Sequence, residues 1–193
     1  MIENDLLEAI IALPTEMFYN TGISTYIWVL SNHKTKERKG KIQLVNGADF
    51  FQKMRKSLGS KRKELGDGDI EKIMKLYGDF QNGEHSKIFD AKDFGYTTLT
   101  IERPLRDEAG NIVLSTKGKS KGQPMADSSL RDTENVPLKE DIQEYFKREL
   151  LPNAPDAWID DSKTKVGYEI PFTRQFYVFK PPRPLNAIDA DLK

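Results

Sequence analysis

The run Leu7-Glu-Ala-Ile-Ile-Ala-Leu13, closed by Pro14, limits the fold more than any other feature of the chain. Its centre, Ala9 to Leu13, is short, apolar and partly β-branched, the pattern of a strand buried on both faces of a sheet. Residues 4 to 10 also read as the last turns of a helix leading into it. A doubly buried strand needs neighbours on either side, and parallel neighbours need crossover connections. Nothing after residue 46 repeats a β-α-β pattern. The sheet is therefore expected to be completed by another polypeptide, or the chain to be a downstream piece of a longer protein.

The pattern beyond Pro14 fills in an α/β plan. Pro14 to Gly22 is rich in turn residues, and Ser24-Thr-Tyr-Ile-Trp-Val-Leu30 is a β-branched and aromatic strand. Lys41 to Val45 is a second strand, so residues 24 to 45 are expected to pair as a hairpin with a long tip. A short helix is expected at Ala48 to Met54, a basic loop up to Gly66, and a helix capped by Asp67 or Asp69 that presents Ile70, Ile73, Met74 and Tyr77. Gln81 to Asp90 is turn-like. Phe94 to Ile101 alternates as a strand and turns at Ala109-Gly110 toward Ile112 to Leu114. Ser115 to Asp132 is expected to be a flexible loop, and a helix begins at Pro137 with Ile142, Tyr145, Phe146 and Leu150 on one face. Val166 to Ile170 and Gln175 to Phe179 are strand candidates, followed by an extended Lys180-Pro-Pro-Arg-Pro184.

Charge is segregated although the whole chain is neutral, with 30 Lys+Arg against 30 Asp+Glu. Residues 33 to 63 hold eleven Lys/Arg against Glu37 and Asp49, whereas residues 126 to 161 hold ten acids against four basic residues. Lys53, Arg55, Lys56, Lys61, Arg62 and Lys63 form the densest block. Two readings of that block are open: a solvated loop, or phosphate neutralisation by counterion release.

Several chemistries are excluded. With no cysteine there is no disulfide, thiolate nucleophile or Cys-based metal centre, in keeping with a cytoplasmic location. His33 and His85 lack ligand spacing and read as plain surface residues, so no metal site is expected. No apolar run is long enough to cross a bilayer, and the acidic start is no signal peptide. Gly118-Lys-Ser120 lacks the upstream glycine of a phosphate-binding loop, the position being Val113, and Gly66-Asp-Gly68 is no dinucleotide fingerprint. No catalytic residue is assigned in this chain.

Several long stretches occur in a familiar order: LPTEMFYNTGISTYIWVLSN, KMRKSLGSKRKEL, DFGYTTLTIERPLRDEAGNIVL, SSLRDTENVPLKEDIQEYF and KVGYEIPFTRQFYVFKPPRPL. Together they resemble the C-terminal part of the modification subunit of type I restriction-modification systems, over nearly the whole chain. Those subunits are DNA adenine-N6 methyltransferases that use S-adenosylmethionine and assemble with a specificity subunit and a restriction subunit. The resemblance implies an α/β fold class: the last strands of a methyltransferase-like mixed sheet, a buried strand plus a β-hairpin, over residues 1–46. A basic loop and helical connector would occupy 47–92, and an α+β C-terminal extension 93–193.

The family's Gly-rich cofactor loop and Asn-Pro-Pro-aromatic motif are not found, since Pro181-Pro182 follows Lys180 in the tail. In the family both lie upstream of the segment that Leu6 to Pro14 resembles. The expectation is thus a truncated gene product, a split-gene half or an expressed fragment, with no cofactor bound by this chain alone and an upstream methyltransferase half as partner. Double-stranded DNA is the implied substrate. Phe18 takes the place of the family's aromatic that packs on the extruded adenine; Tyr19 is the alternative, Asn20 shapes the loop, and the competing reading makes Phe18 a core residue. A non-catalytic DNA-binding or assembly module is the alternative function.

Overall fold

The computed structural model describes residues 1–179 and 181–182. Within it the chain forms two compact units, each drawn from three segments. One comprises Met1–Glu8, Leu30–Ile42 and Phe89–Ile170; the other comprises Ala9–Val29, Gln43–Ile88 and the segment from Pro171 on.

The second unit is organised by β1 (Leu7–Leu13), every residue of which is buried. It pairs in parallel with β3 (Lys41–Asn46), Ala9 opposite Gln43 and Ala12 opposite Asn46. The sheet order is β2-β1-β3-β6, with β2 spanning Thr25–Leu30 and β6 spanning Ser86–Asp90. The expected hairpin of residues 24 to 45 is thus corrected, because β1 lies between its two arms. An apolar strand shielded on both sides satisfies more of its backbone in the middle of a sheet than at an edge. The expected helical turns at residues 4 to 10 are likewise strand from Leu7 onward.

Helix α1 (Asp67–Asp79) covers one face of this sheet, placing Ile73 on Ile11 and Val45, with Leu76 and Tyr77 beside them. The buried stripe is rotated from the expected one, since Ile70 and Met74 are exposed. Asp69 shares the buried face with Ile73: its carboxylate accepts the Gly66 N–H at 3.1 Å and is buried at the helix start. Gln43 is wholly buried and donates from Nε2 to the Leu76 carbonyl (2.8 Å) and Ser86 Oγ (3.0 Å), which ties α1 and β6 to the sheet. Strand β6 replaces the expected turn at 81–90. His85, expected at the surface, stacks its ring 4.8 Å from that of Phe50.

Two further elements of this unit depart from expectation. Residues 52 to 64 form a hairpin, β4 (Gln52–Leu58) and β5 (Lys61–Glu64), in place of a short helix and loop. Gln175 to Phe179 is not a strand, because a one-turn helix α3 (Phe172–Gln175) precedes it and presents Phe172 edge-on to Tyr26, ring centroids 5.2 Å apart. The extended stretch expected from Lys180 to Pro184 lies largely outside the described residues.

The first unit is built on β7 (Gly95–Glu102), which pairs with β8 (Asp132–Pro137), β9 (Trp158–Ile159) and β10 (Lys165–Tyr168), all antiparallel. Strand β8 is hidden in the sequence by its polar residues: Asp-Thr-Glu-Asn-Val-Pro buries only Val136. Residues 103 to 131, expected as a hairpin and a flexible loop, fold back as a meander with Leu105–Met125, Val113–Leu105 and Ser115–Gln123 backbone hydrogen bonds. The helix expected from Pro137 starts five residues later, where the Asp141 side chain accepts from the Gln143 and Glu144 N–H groups; it runs as α2 (Ile142–Tyr145) into a π-type turn over Phe146–Leu150. Its face packs as the sequence pattern predicts, Ile142, Tyr145, Phe146 and Leu150 against Leu99, Ile101 and Val136.

Truncating Phe146 to alanine is expected to cost about 3 to 5 kcal/mol, because a large ring leaves a close-packed core, whereas Met74→Ala should stay within about 0.5 kcal/mol. Urea unfolding midpoints at constant slope check both values.

Candidate nucleic-acid interface

The turn that follows β1 and the hairpin β4–β5 meet in one place. Phe18 and Thr21 form an antiparallel bridge, leaving Tyr19 and Asn20 at the tip of a tight turn. Asn20 adopts a left-handed conformation (φ 59°), which its short polar side chain tolerates better than most residues would. Phe18 is 49% exposed, which is not the burial of a core residue. Tyr19 and Asn20 are exposed too, but Tyr19 lies against the hairpin: a Cβ at Gly59 would fall 2.7 Å from Tyr19 Cε2 and 3.2 Å from Asn20 Oδ1. Gly59 also has φ +60°, as the first residue of the two-residue turn Gly59-Ser60. The structure therefore brings together Phe18, Tyr19, Asn20 and the basic segment, which stand some forty residues apart in sequence.

The backbone locks this junction. The Glu16 carbonyl accepts from the Arg62 N–H at 3.0 Å and the Lys63 N–H at 3.3 Å, and the Lys63 ammonium donates to Thr15 Oγ1 at 3.3 Å. Lys63 also stands 4.1 Å over the ring of Phe51. Lys53 faces Lys63 across the hairpin, and a bulge lies between Lys53 and Leu58. Lys53, Arg55, Lys56, Lys61, Arg62 and Lys63 make no ion pair with any described residue.

Cations of the other unit are spent differently. Arg103 and Arg106 bind Asp156 at 3.2 and 3.0 Å, and Arg131 and Lys163 converge on the buried Glu102 at 2.8 and 2.9 Å. The Asp156 carboxyl is held below its ordinary range, chiefly by the Arg106 hydrogen bond, with burial opposing and Arg103 adding to it. These cations hold the unit together, whereas those of the hairpin have no acid to hold.

Nothing in the residue pattern marks Thr15 or Glu16 as members of the site; Gly59 could have been found from the Leu-Gly-Ser tripeptide, a two-residue turn between basic runs. Sequence reasoning also missed an aromatic recess of about 300 Å³ at the ends of β1 and β3, walled by Tyr26, Phe172, Phe176 and Tyr177 with Asn46 at its polar side. Among the described residues no cluster of three or more His, Asp or Glu is placed to hold a metal ion, and no helix is long and apolar enough to cross a membrane.

The unit is thus a mixed α/β sheet with an exposed aromatic turn joined to a basic hairpin. A model of the N-6 DNA methylase family matches residues 1–98, half of the chain, and the chain belongs to that family. It is similar to three methylase subunits of type I restriction enzymes from Methanocaldococcus jannaschii. MjaVII is 35% identical over 94 residues and MjaVIII 37% over 93, each match covering 48% of this chain and 16% of the relative. MjaIX is 26% identical over 145 residues, 75% of this chain and 23% of the relative. The chain thus spans less than a quarter of the length of these curated relatives. A crystal structure of a type I restriction-modification methyltransferase subunit from Streptococcus thermophilus superposes with a TM-score of 0.41 at 20% identity, covering 48% of this chain and 18% of that one.

The aromatic recess and the ends of β1 and β3 do not fit S-adenosylmethionine. The parallel strands β1 and β3 lead into Pro14-Thr15 and into Gly47, and Gly47 is used for contact with β1, since a Cβ there would lie 2.8 Å from the Ala12 carbonyl oxygen. The aromatic recess has no carboxylate among its lining residues to hold ribose hydroxyls.

Because Phe18 is half-exposed, Phe18→Ala should lower stability by less than about 1 kcal/mol, against about 2 to 5 kcal/mol for Leu44→Ala in the fully buried strand β3. Chemical denaturation of the two variants side by side measures the difference.

Proposed function

We propose that this chain supplies the target-base wall, the DNA-backbone contacts and the specificity-subunit docking surface of a type I DNA adenine-N6 methyltransferase subunit, and that it is incomplete for catalysis alone. The observation that carries this reading is the junction of an exposed aromatic turn with a hairpin whose cations have no internal ion-pair partners among the described residues. A methyltransferase acting on a base must take it out of the stack, and the extruded adenine then needs an aromatic face to replace its former neighbours. Phe18 serves this purpose better than Tyr19, whose ring is engaged with Gly59. The hairpin lysines and arginines neutralise backbone phosphates, which positions DNA without reading its sequence.

The open edge of the sheet supports a missing half. Strand β2 is outermost in its sheet, yet Tyr26, Ile27 and Trp28 are 40 to 54% exposed. Successive side chains point to opposite faces, so both faces of β2 stand open, and an apolar edge of this kind invites pairing with another strand. The methyltransferase segment that carries the cofactor loop and the Asn-Pro-Pro-aromatic motif would pair there, and S-adenosylmethionine belongs to that segment. The specificity and restriction subunits complete the assembly.

Two measurements test the reading. In an enzyme reconstituted with such a methyltransferase polypeptide, Phe18→Ala should slow single-turnover methylation by about tenfold to a hundredfold, the worth of one base–aromatic stack, and Phe18→Trp should keep most of the rate. An unchanged rate in folded Phe18→Ala removes the stacking role. Separately, changing Lys53, Arg55, Lys56, Lys61, Arg62 and Lys63 to glutamine should weaken binding to all duplex sequences alike and reduce the salt slope by about 0.9 for each phosphate no longer neutralised. A changed sequence preference at constant slope would make the hairpin a reader of bases instead.

A further inference from the structure

We infer that the cleft between the Phe18 turn and the hairpin is a seat for one particular phosphate, that of the nucleotide whose base is extruded. The inference rests on the DNA reading above and deepens it from a diffuse basic surface to a single anion site. The cleft, about 510 Å³, is lined by Glu16, Lys53, Met54, Ser57, Arg62 and Lys63. Three cations against one carboxylate leave it with a net charge of +2.

Three features distinguish it from the rest of the basic patch. The first is electrostatic. Lys53 and Lys63 are directly opposite each other in the register, and like charges so placed repel. No described acid forms an ion pair with either, and an anion between them would relieve the repulsion. The second is rigidity: Lys63 is held by Thr15 Oγ1 and the Phe51 ring, and the backbone of Arg62 and Lys63 is fixed to the Glu16 carbonyl. Arg55 and Lys56 stand outside the cleft and lack these contacts. The third is distance. Glu16, which lines the cleft, and Phe18 are two residues apart, a backbone reach of at most about 7 Å, so the cleft wall and the residue offered to the base belong to one turn.

The hydrogen bonds from β5 to Glu16 then give the cleft a second role. A phosphate bound there pulls on the same backbone that presents Phe18, so capture of the phosphate and presentation of the ring are one event. Sequence-independent affinity is thereby focused on the place where the base must leave the helix.

The test uses the full chain and a short duplex with one extrahelical adenine, which fixes the position of the extruded nucleotide. Each phosphate of that strand is replaced in turn by an uncharged methylphosphonate and affinity is read by fluorescence anisotropy at low salt. One position, next to the extrahelical adenine, should cost about tenfold, while the others cost about twofold or less. The penalty at that position should vanish in Lys53→Gln and in Arg62→Gln, both surface substitutions, and persist in Arg55→Gln. Equal penalties at every position, or a local penalty that survives in both cleft variants, would overturn the inference while leaving the hairpin a general phosphate binder. Absence of any salt-dependent duplex binding would instead overturn the DNA reading itself, and this inference with it.

Discussion

The parallel pairing of β1 with β3 places a wholly buried apolar strand in the middle of a sheet, and the other features of that unit follow from it. A parallel pair needs a crossover, so the chain between the two strands must leave and return; β2 forms on that excursion and takes the other side of β1. Once β3 is fixed, the buried amide of Gln43 finds the Leu76 carbonyl and Ser86 Oγ, which sets the height of α1 and draws β6 to the edge. An unsatisfied amide in that position would carry the full desolvation penalty, so the register of these elements is coupled to one side chain.

The same sheet presents the Phe18 turn. That turn begins where β1 runs out at Pro14, and the hairpin β4–β5 is held against it through Glu16 and Gly59. A free connection from Pro14 to Ser24 would sample many conformations. Hydrogen-bonded to a second element at Glu16 and lying close to it at the Tyr19 ring, it holds Phe18 with less conformational entropy than a free loop would have.

Charge pairing separates two uses of the same residue types. In the first unit, Arg103, Arg106, Arg131 and Lys163 face carboxylates and hold loops to the β7 sheet. In the second, Lys53 faces Lys63, and neither forms an ion pair with a described acid. A fold gains nothing from that second arrangement, whereas an external anion would relieve it. The pairing also accounts for part of the acidic run of residues 126 to 161: Asp156 is consumed by arginines of its own unit, and Glu134 accepts a hydrogen bond from the Tyr145 hydroxyl at 2.8 Å.

Periodicity in the sequence determined the Ala9 to Leu13 part of β1, most of β7, and the apolar face that α2 lays on Leu99, Ile101 and Val136, because local pattern and burial coincide there, while β-branched and aromatic composition marked β2, whose side chains are largely exposed. The order of its motifs also determined the family. What it did not hold was pairing. That β1 separates β2 from β3, that the polar β8 is a strand, and that α1 lays Ile73 rather than Ile70 and Met74 on the sheet are decided by contacts outside any single local pattern. The candidate site divides along the same line. Phe18 and the six basic residues were legible as types, since few other residues can stack on a base or neutralise a phosphate. Their meeting, with Thr15, Glu16 and Gly59 as the joint, was decided only by the tertiary structure: it depends on hydrogen bonds and a close ring contact spanning some forty residues of sequence, and no local propensity encodes these.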